Sequence, residues 1–339
     1  MQHGLDPAAL EVAADYAGAN DSSCLVVVRE GHLVFERYFM GTDATTPVKS
    51  WSVAKSYASA LMGIAIGQGL IGGIDDSIAA YLPQFVGTAH EGVTLRTMLS
   101  MTTGMYEGLI ADMADMFYAE DMTAMAVATP VTSEPGSEWH YSNVAVQLFE
   151  PILHVASGVE AHVFAEQELW SRIGMTATWM ADPAGNPAMY MNVMASCRDH
   201  ARFGHLYLNR GCWAGEQVVP EAWVAESTQP SQAFNAGYGY WWWLSGGTPT
   251  LDLIDATVLP SGSLHPFGPD DSFCADGLGS QTIEVIPSLD MVVVRMGRSP
   301  MEDIEGNPLP LFPILEMLDD GKMRTHNGVV QRVVEAVVD

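Results

Sequence analysis

Hydrophobic and polar positions change rhythm twice along this chain. Cys24 to Arg29 and His32 to Phe39 are β-rich runs interrupted by Glu30-Gly31, a pattern that predicts a hairpin. From Ala54 the apolar positions Ala58, Leu61, Met62, Ala65 and Ile66 recur at helical spacing, and the run stops near Gly67 to Gly73. The pattern then stays mostly helical to about Ala233, punctuated at Pro83, Gly104, Pro130, Pro135-Gly136, Pro183 and Pro187. Tyr238 to Leu244, Gln281 to Ile286 and Met291 to Met296 read as strands, and Val329 to Val338 as a closing helix. Strands at both ends with helices between predict an α/β (α+β) fold, one sheet assembled from distant pieces and interrupted by a helical insertion. The expected division is a sheet domain from residues 1–50 and 235–339 and a mainly helical domain over 51–234.

A chain of 339 residues with 48% hydrophobic residues can bury a full core. Its 41 acidic against 14 basic residues give a formal charge of -27. That balance excludes nucleic acid as a partner, because Lys and Arg must supply the attraction to phosphate. Such a surface is heavily hydrated and would also suit a saline habitat. No basic segment followed by an apolar core opens the chain, and no run nears the roughly 18 apolar residues of a membrane span. The expectation is a soluble cytoplasmic protein that does not engage a membrane. Cys24, Cys197, Cys212 and Cys274 lack Cys-x-x-Cys spacing, so reduced, partly buried thiols are expected.

Lysine occurs only at positions 49, 55 and 322, so Lys55 inside an apolar helix calls for a reason. Burial disfavours its ammonium form, and a neutral amine one turn from Ser52 can activate that hydroxyl as a nucleophile. A second element, Pro135-Gly136-Ser137-Glu138-Trp139-His140-Tyr141-Ser142-Asn143, carries Tyr141 and Asn143 just before a new helical pattern. A third, Phe273-Cys274-Ala275-Asp276-Gly277-Leu278-Gly279-Ser280-Gln281, is a glycine-broken entry into a strand.

In this order the three elements resemble the serine β-lactamase and penicillin-binding-protein superfamily, in its class C-like branch with Tyr-x-Asn. The resemblance is closest to 6-aminohexanoate-dimer hydrolases and family VIII carboxylesterases. The surrounding text agrees: Ser52-Val53-Ala54-Lys55-Ser56-Tyr57, Cys197-Arg198-Asp199-His200-Ala201-Arg202-Phe203-Gly204, and Gly237-Tyr238-Gly239-Tyr240-Trp241-Trp242-Trp243. It implies a β-lactamase-like antiparallel sheet flanked by helices. It also implies Ser52 as nucleophile, Lys55 as its partner in proton transfer and Tyr141 as general base or acid, poised by Lys55. Asn143 would orient Lys55 and a substrate carbonyl or amide. The N–H groups of Ser52 and of Leu278, after Gly277, would form the oxyanion hole.

β-Lactamases and D,D-peptidases usually place Lys or His where this chain has Ala275, next to the acidic Asp276. The expected substrates are therefore small carboxylic esters or linear amides without a carboxylate anchor, cleaved without cofactor or metal. The alternatives are a β-lactamase or D,D-peptidase-like activity, acyl transfer to a non-water acceptor, and a ligand-binding module that does not turn over.

Met101, Met105, Met113, Met116, Met122 and Met125, amid several acids, read as core or as a flexible apolar lid; the resemblance implies that this segment overhangs the pocket and that a carboxylate from it would bind a substrate amine. Tyr240 to Trp243 read as a strand with one face in the core and the other free to line an acyl pocket. Gly67-Gln68-Gly69-Leu70-Ile71-Gly72 has dinucleotide-loop spelling, yet it ends a helix where that fingerprint must open one. No Gly-x-Ser-x-Gly elbow occurs, and His200 with His205 has the wrong spacing for a metal. Oligomeric state is not legible.

Overall fold

The computed structural model describes residues 3–108, 110–245, 268–298 and 325–338. Its main sheet is antiparallel and six-stranded, in the order β2-β1-β11-β10-β9-β8. The strands are β1 (Ser22–Arg29), β2 (His32–Tyr38), β8 (Trp243–Leu244), β9 (Phe273–Gly277), β10 (Gln281–Ile286) and β11 (Met291–Gly297). The expected hairpin turns at Glu30-Gly31, where both residues take positive φ. β1 lies inside the sheet between β2 and β11, which is why Cys24-Leu25-Val26-Val27 can be apolar on both faces.

Each face is covered by different helices. Leu25, Val27 and Val293 pack with Leu10 and Ala13 of the Pro7–Ala19 helix and with Val329 and Val333 of the Thr325–Glu335 helix. The Cys197–Leu208 helix covers the other face, and Gly204 is the point of closest approach. A Cβ there would lie 2.5 Å from Val292 Cγ1 and 2.7 Å from Ile283 Cγ2. Helices from the middle of the chain extend this second core, with Ala54–Gly67 at its centre and every residue from Ala54 to Ala65 buried. That helix ends at Gly67 in a turn, so the glycine spelling there is a helix stop.

A second sheet was not legible in the sequence: β3 (Val48–Lys49), β5 (Val193–Ala195) and β4 (Ala177–Trp179), in that order. β6 (Cys212–Trp213) and β7 (Glu216–Gln217) form a small hairpin. Strands this short carry no periodicity to read.

Two expectations are corrected. Tyr238 to Leu244 is not one strand: Tyr238 bridges Trp243, the Gly239 N–H donates to the Trp242 carbonyl, and Trp241 takes φ 62°. The chain doubles back because Gly239 passes the Ser227 carbonyl so closely that a Cβ would lie 2.2 Å from it, and all four residues from Tyr240 to Trp243 are buried. Cys24 and Cys197 are not thiols but a disulfide across 173 residues, joining β1 to the helix above it, while Cys212 and Cys274 are free. Disulfides persist in oxidising surroundings, so the cysteines no longer argue for a cytoplasmic location. No helix among the described residues is long and apolar enough to cross a membrane.

Candidate active site

Ser52 stands in a single 3-10 turn, Trp51–Val53, at the head of the Ala54–Gly67 helix. The turn is entered through Trp51 at φ 47°, a conformation that a bulky side chain avoids and that costs on the order of 1–3 kcal/mol. Asn192 holds it there from both sides. Its Oδ1 accepts the Trp51 N–H at 3.1 Å, and its own N–H donates to the Trp51 carbonyl at 3.1 Å. One residue on, the Val193 N–H donates to Ser50 Oγ at 2.9 Å, so the clamp continues the β3–β5 ladder. The small sheet thus has a positional use: it presents Ser52, which remains partly exposed, at a helix N-terminus whose leading N–H groups have no intrahelical acceptor.

Lys55 is 1% exposed, and its Nζ lies 2.9 Å from Ser52 Oγ, 2.7 Å from Asn143 Oδ1 and 3.0 Å from the Tyr190 carbonyl. Burial pulls its pKa down to about 7, against the opposing pull of the Asp112 charge. Two of the three partners can only accept. A neutral amine has two hydrogens to satisfy Asn143 and Tyr190, leaving its lone pair toward the Ser52 hydroxyl.

The Tyr141 phenol lies close enough to Ser52 for that hydroxyl to favour its ionised form, and Lys55 Nζ sits 4.7 Å from the centre of its ring. The ring is packed against Trp243 at 5.8 Å and meets Tyr238 edge-on at 6.2 Å. Burial pushes this phenol well above the usual tyrosine range; the nearby Ser52 hydroxyl opposes that, and the Asp276 and Asp112 charges add to it. The shift runs toward the protonated phenol, the direction opposite to poising by Lys55.

Asn143 is fixed on both sides, since its Nδ2 donates to the Asp112 carbonyl at 3.0 Å while its Oδ1 accepts from Lys55. Asp112 is the residue that sequence reasoning left unresolved among the acids near the methionines. It lies in a short π-helix, Ile110–Asp115, and its buried carboxylate accepts from Ser142 Oγ at 2.9 Å and from the N–H groups of Asn143 at 2.8 Å and Val144 at 3.2 Å. Burial raises its pKa, and those three hydrogen bonds and Lys55 draw it back. Met101, Met105, Met116 and Met122 belong to the core.

Gly277, at the end of β9, reaches the Ser52 backbone: a Cβ built on it would lie 2.6 Å from the Ser50 carbonyl and 2.9 Å from Ser52 N. Leu278 follows directly and packs on the core as a partly buried residue. Ala275 is fully buried, and Asp276 accepts from Thr282 Oγ1 at 3.0 Å across the β9–β10 turn. Ser52, Lys55, Tyr141, Asn143 and Gly277 are thus drawn together from three distant segments. Asp112, Tyr190 and Asn192 join them. A backbone carbonyl and a loop asparagine leave no spacing signal, whereas Asp112 was one of several acids in a segment already singled out.

His140 stacks on Tyr106 at 4.4 Å, and the His200 ring nitrogen Nδ1 is 2.9 Å from the Tyr57 hydroxyl. Among the described residues no group of three or more His, Cys, Asp and Glu is arranged to hold a metal ion.

The chain is 21% identical over 254 residues to the 6-aminohexanoate-dimer hydrolase of Paenarthrobacter ureafaciens, a match covering 66% of this chain and 64% of that relative. Its fold is shared with a candidate β-lactamase from Bacteroides dorei, at TM-score 0.74 and 17% identity over 98% of this chain and 99% of the other. It is also shared with EstCE1, a hydrolase with promiscuous acyltransferase activity, at TM-score 0.68 and 14% identity over 96% and 100%. At these identities the structures speak to the fold alone, an antiparallel sheet flanked by helices. The Beta-lactamase family model matches residues 11–302, and the chain belongs to that family.

Proposed function

We propose that the protein is a serine hydrolase that cleaves small carboxylic esters or linear amides through an acyl-enzyme on Ser52. The observation that carries this reading is the Lys55 amine, 2.9 Å from Ser52 Oγ and backed by two partners that can only accept. In acylation, Ser52 Oγ bonds to the substrate carbonyl carbon as its proton passes to Lys55 Nζ. The developing oxyanion is met by the backbone N–H groups of Ser52 and Leu278, donors whose individual loss typically costs about 100- to 1,000-fold. Tyr141, still protonated, donates to the leaving oxygen or nitrogen as that bond breaks, and Lys55 returns a proton to the phenolate. Water repeats the sequence in reverse roles: it loses a proton to this pair, attacks the acyl carbon, and Ser52 Oγ leaves with a proton.

The substrate class is argued from Ala275 and Asp276, which offer no cation for a substrate carboxylate, and from similarity to a hydrolase of 6-aminohexanoate dimers. Transfer of the acyl group to an amine or alcohol in place of water is the second reading, which an acyl-enzyme on Ser52 would equally permit. Turnover of a nitrophenyl ester together with covalent labelling by a fluorophosphonate tests the proposal. Wild type should gain one adduct by intact mass, and Ser52→Ala should lose the label and at least about 10,000-fold in kcat/KM. Labelling that persists in Ser52→Ala would reject Ser52 as nucleophile. Product analysis with added amines separates transfer from hydrolysis.

A further inference from the structure

The three-residue turn joining β9 to β10, Leu278-Gly279-Ser280, begins with the residue whose N–H completes the oxyanion hole in the reading above. It is an unfavourable turn in isolation. Gly279 takes φ 80° and Ser280 φ 59°, and a non-glycine residue in this region is strained. Carbonyl groups in so tight a turn cannot reach a strand partner, and Ser280 and Gln281 are buried away from water.

Two buried side chains from the neighbouring strands meet all three carbonyls. Gln281 Nε2 donates to the Leu278 carbonyl at 3.1 Å and the Gly279 carbonyl at 3.3 Å, while Gln281 Oε1 accepts the Gly297 N–H at 2.7 Å. Arg295, on β11 and 3% exposed, spends one arm on the same turn: Nη1 donates to the Gly279 carbonyl at 2.5 Å and the Ser280 carbonyl at 2.9 Å. Its remaining donors are anchored at the start of β1 and just before it, Nε on Ser22 Oγ at 2.8 Å and Nη2 on the Asn20 carbonyl at 2.8 Å. Thr282, opposite Asp276 in the ladder, closes the other side by donating to Asp276 Oδ1.

Two of the four hydrogen bonds of this buried guanidinium end on carbonyls within three residues of Gly277, and Gln281 donates to two carbonyls of the same turn, so the pair fixes that turn while also tying β11 to β1. We propose that Arg295 and Gln281 are positioning residues that hold the Leu278–Ser280 turn so that the Leu278 N–H converges with the Ser52 N–H on the reacting carbonyl oxygen. They touch no substrate and act only through the backbone they hold. The proposal rests on the acyl-enzyme reading of Ser52.

The test uses the full chain as wild type, Gln281→Met and Arg295→Lys. Active sites are counted with a fluorophosphonate, so that misfolded molecules drop out of the comparison. Per titrated site, kcat on a nitrophenyl ester should fall at least about tenfold in each variant with KM changed less than about threefold, the pattern of an interaction made only in the transition state. Affinity for an arylboronic acid, which forms a tetrahedral adduct, should weaken in proportion. A role confined to stability would lower the titre and leave per-site kcat and boronate affinity unchanged, and that result overturns the proposal. Wild type that neither turns over nor labels at Ser52 overturns the functional reading first and this proposal with it. Wild type that labels while both variants keep full per-site kcat overturns this proposal alone.

Discussion

At the scale of single residues the proposed chemistry turns on Lys55. Its pKa near 7 means that the free base grows as pH rises through neutrality, so kcat/KM for an uncharged ester should climb about tenfold per pH unit below about pH 7 and level off above it. A profile flat from pH 5 to 8 would show that the amine does not have to lose its proton. The sign for stability follows the same shift: between about pH 7 and about 10.5 the unfolded chain binds the proton that folded Lys55 rejects, so this residue's contribution to stability increases with pH across that window. Gly277 sets the second residue-level expectation. A Cβ there would stand 2.9 Å from Ser52 N and 2.6 Å from the Ser50 carbonyl, so Gly277→Ala must push β9 away from the Ser52 turn. It should cost about 100-fold or more in kcat with a smaller change in KM, measured on the same ester. Ser52, Lys55 and Tyr141 were legible because their chemistry is rare and their spacing fixed. Asn192 was not, because a clamp on one strained tryptophan is a tertiary fact.

Among elements, the Ile110–Asp115 turn and the loop leading into the Asn143–Gln147 helix behave as one unit joined by a single carboxylate. Asp112→Asn removes the charge that holds Lys55 up, so the acidic limb of the pH profile should move to lower pH. It also turns one acceptor into a donor facing Ser142, Asn143 and Val144, and should lower stability by about 1–3 kcal/mol, measured by thermal melting. An unmoved limb would mean that Asp112 serves packing alone. At this scale the sequence was an uneven guide. The β1–β2 hairpin and strands β10 and β11 read directly from apolar runs and a Glu-Gly turn. The aromatic run near Trp241 did not, since β-favouring side chains were overridden by the doubling-back at Gly239, and β3, β4 and β5 were too short to show a period.

For the molecule as a whole, the sheet is continuous only because strands from both ends of the chain lie side by side, and the Cys24–Cys197 bond ties one of those strands to a helix from the middle. Closing a loop of 173 residues removes enough freedom from the unfolded chain to contribute about 5 kcal/mol in the chain-entropy account. A reductant should therefore depress the melting temperature, and Cys24→Ser should match the reduced protein. With four cysteines and one such bond, denatured protein purified without reductant should titrate two thiols; four would mean that the bond is missing. A culture host that keeps its interior reducing would then yield a folded but looser isoform. Preparations from different hosts would differ in heat tolerance while carrying an identical arrangement around Ser52.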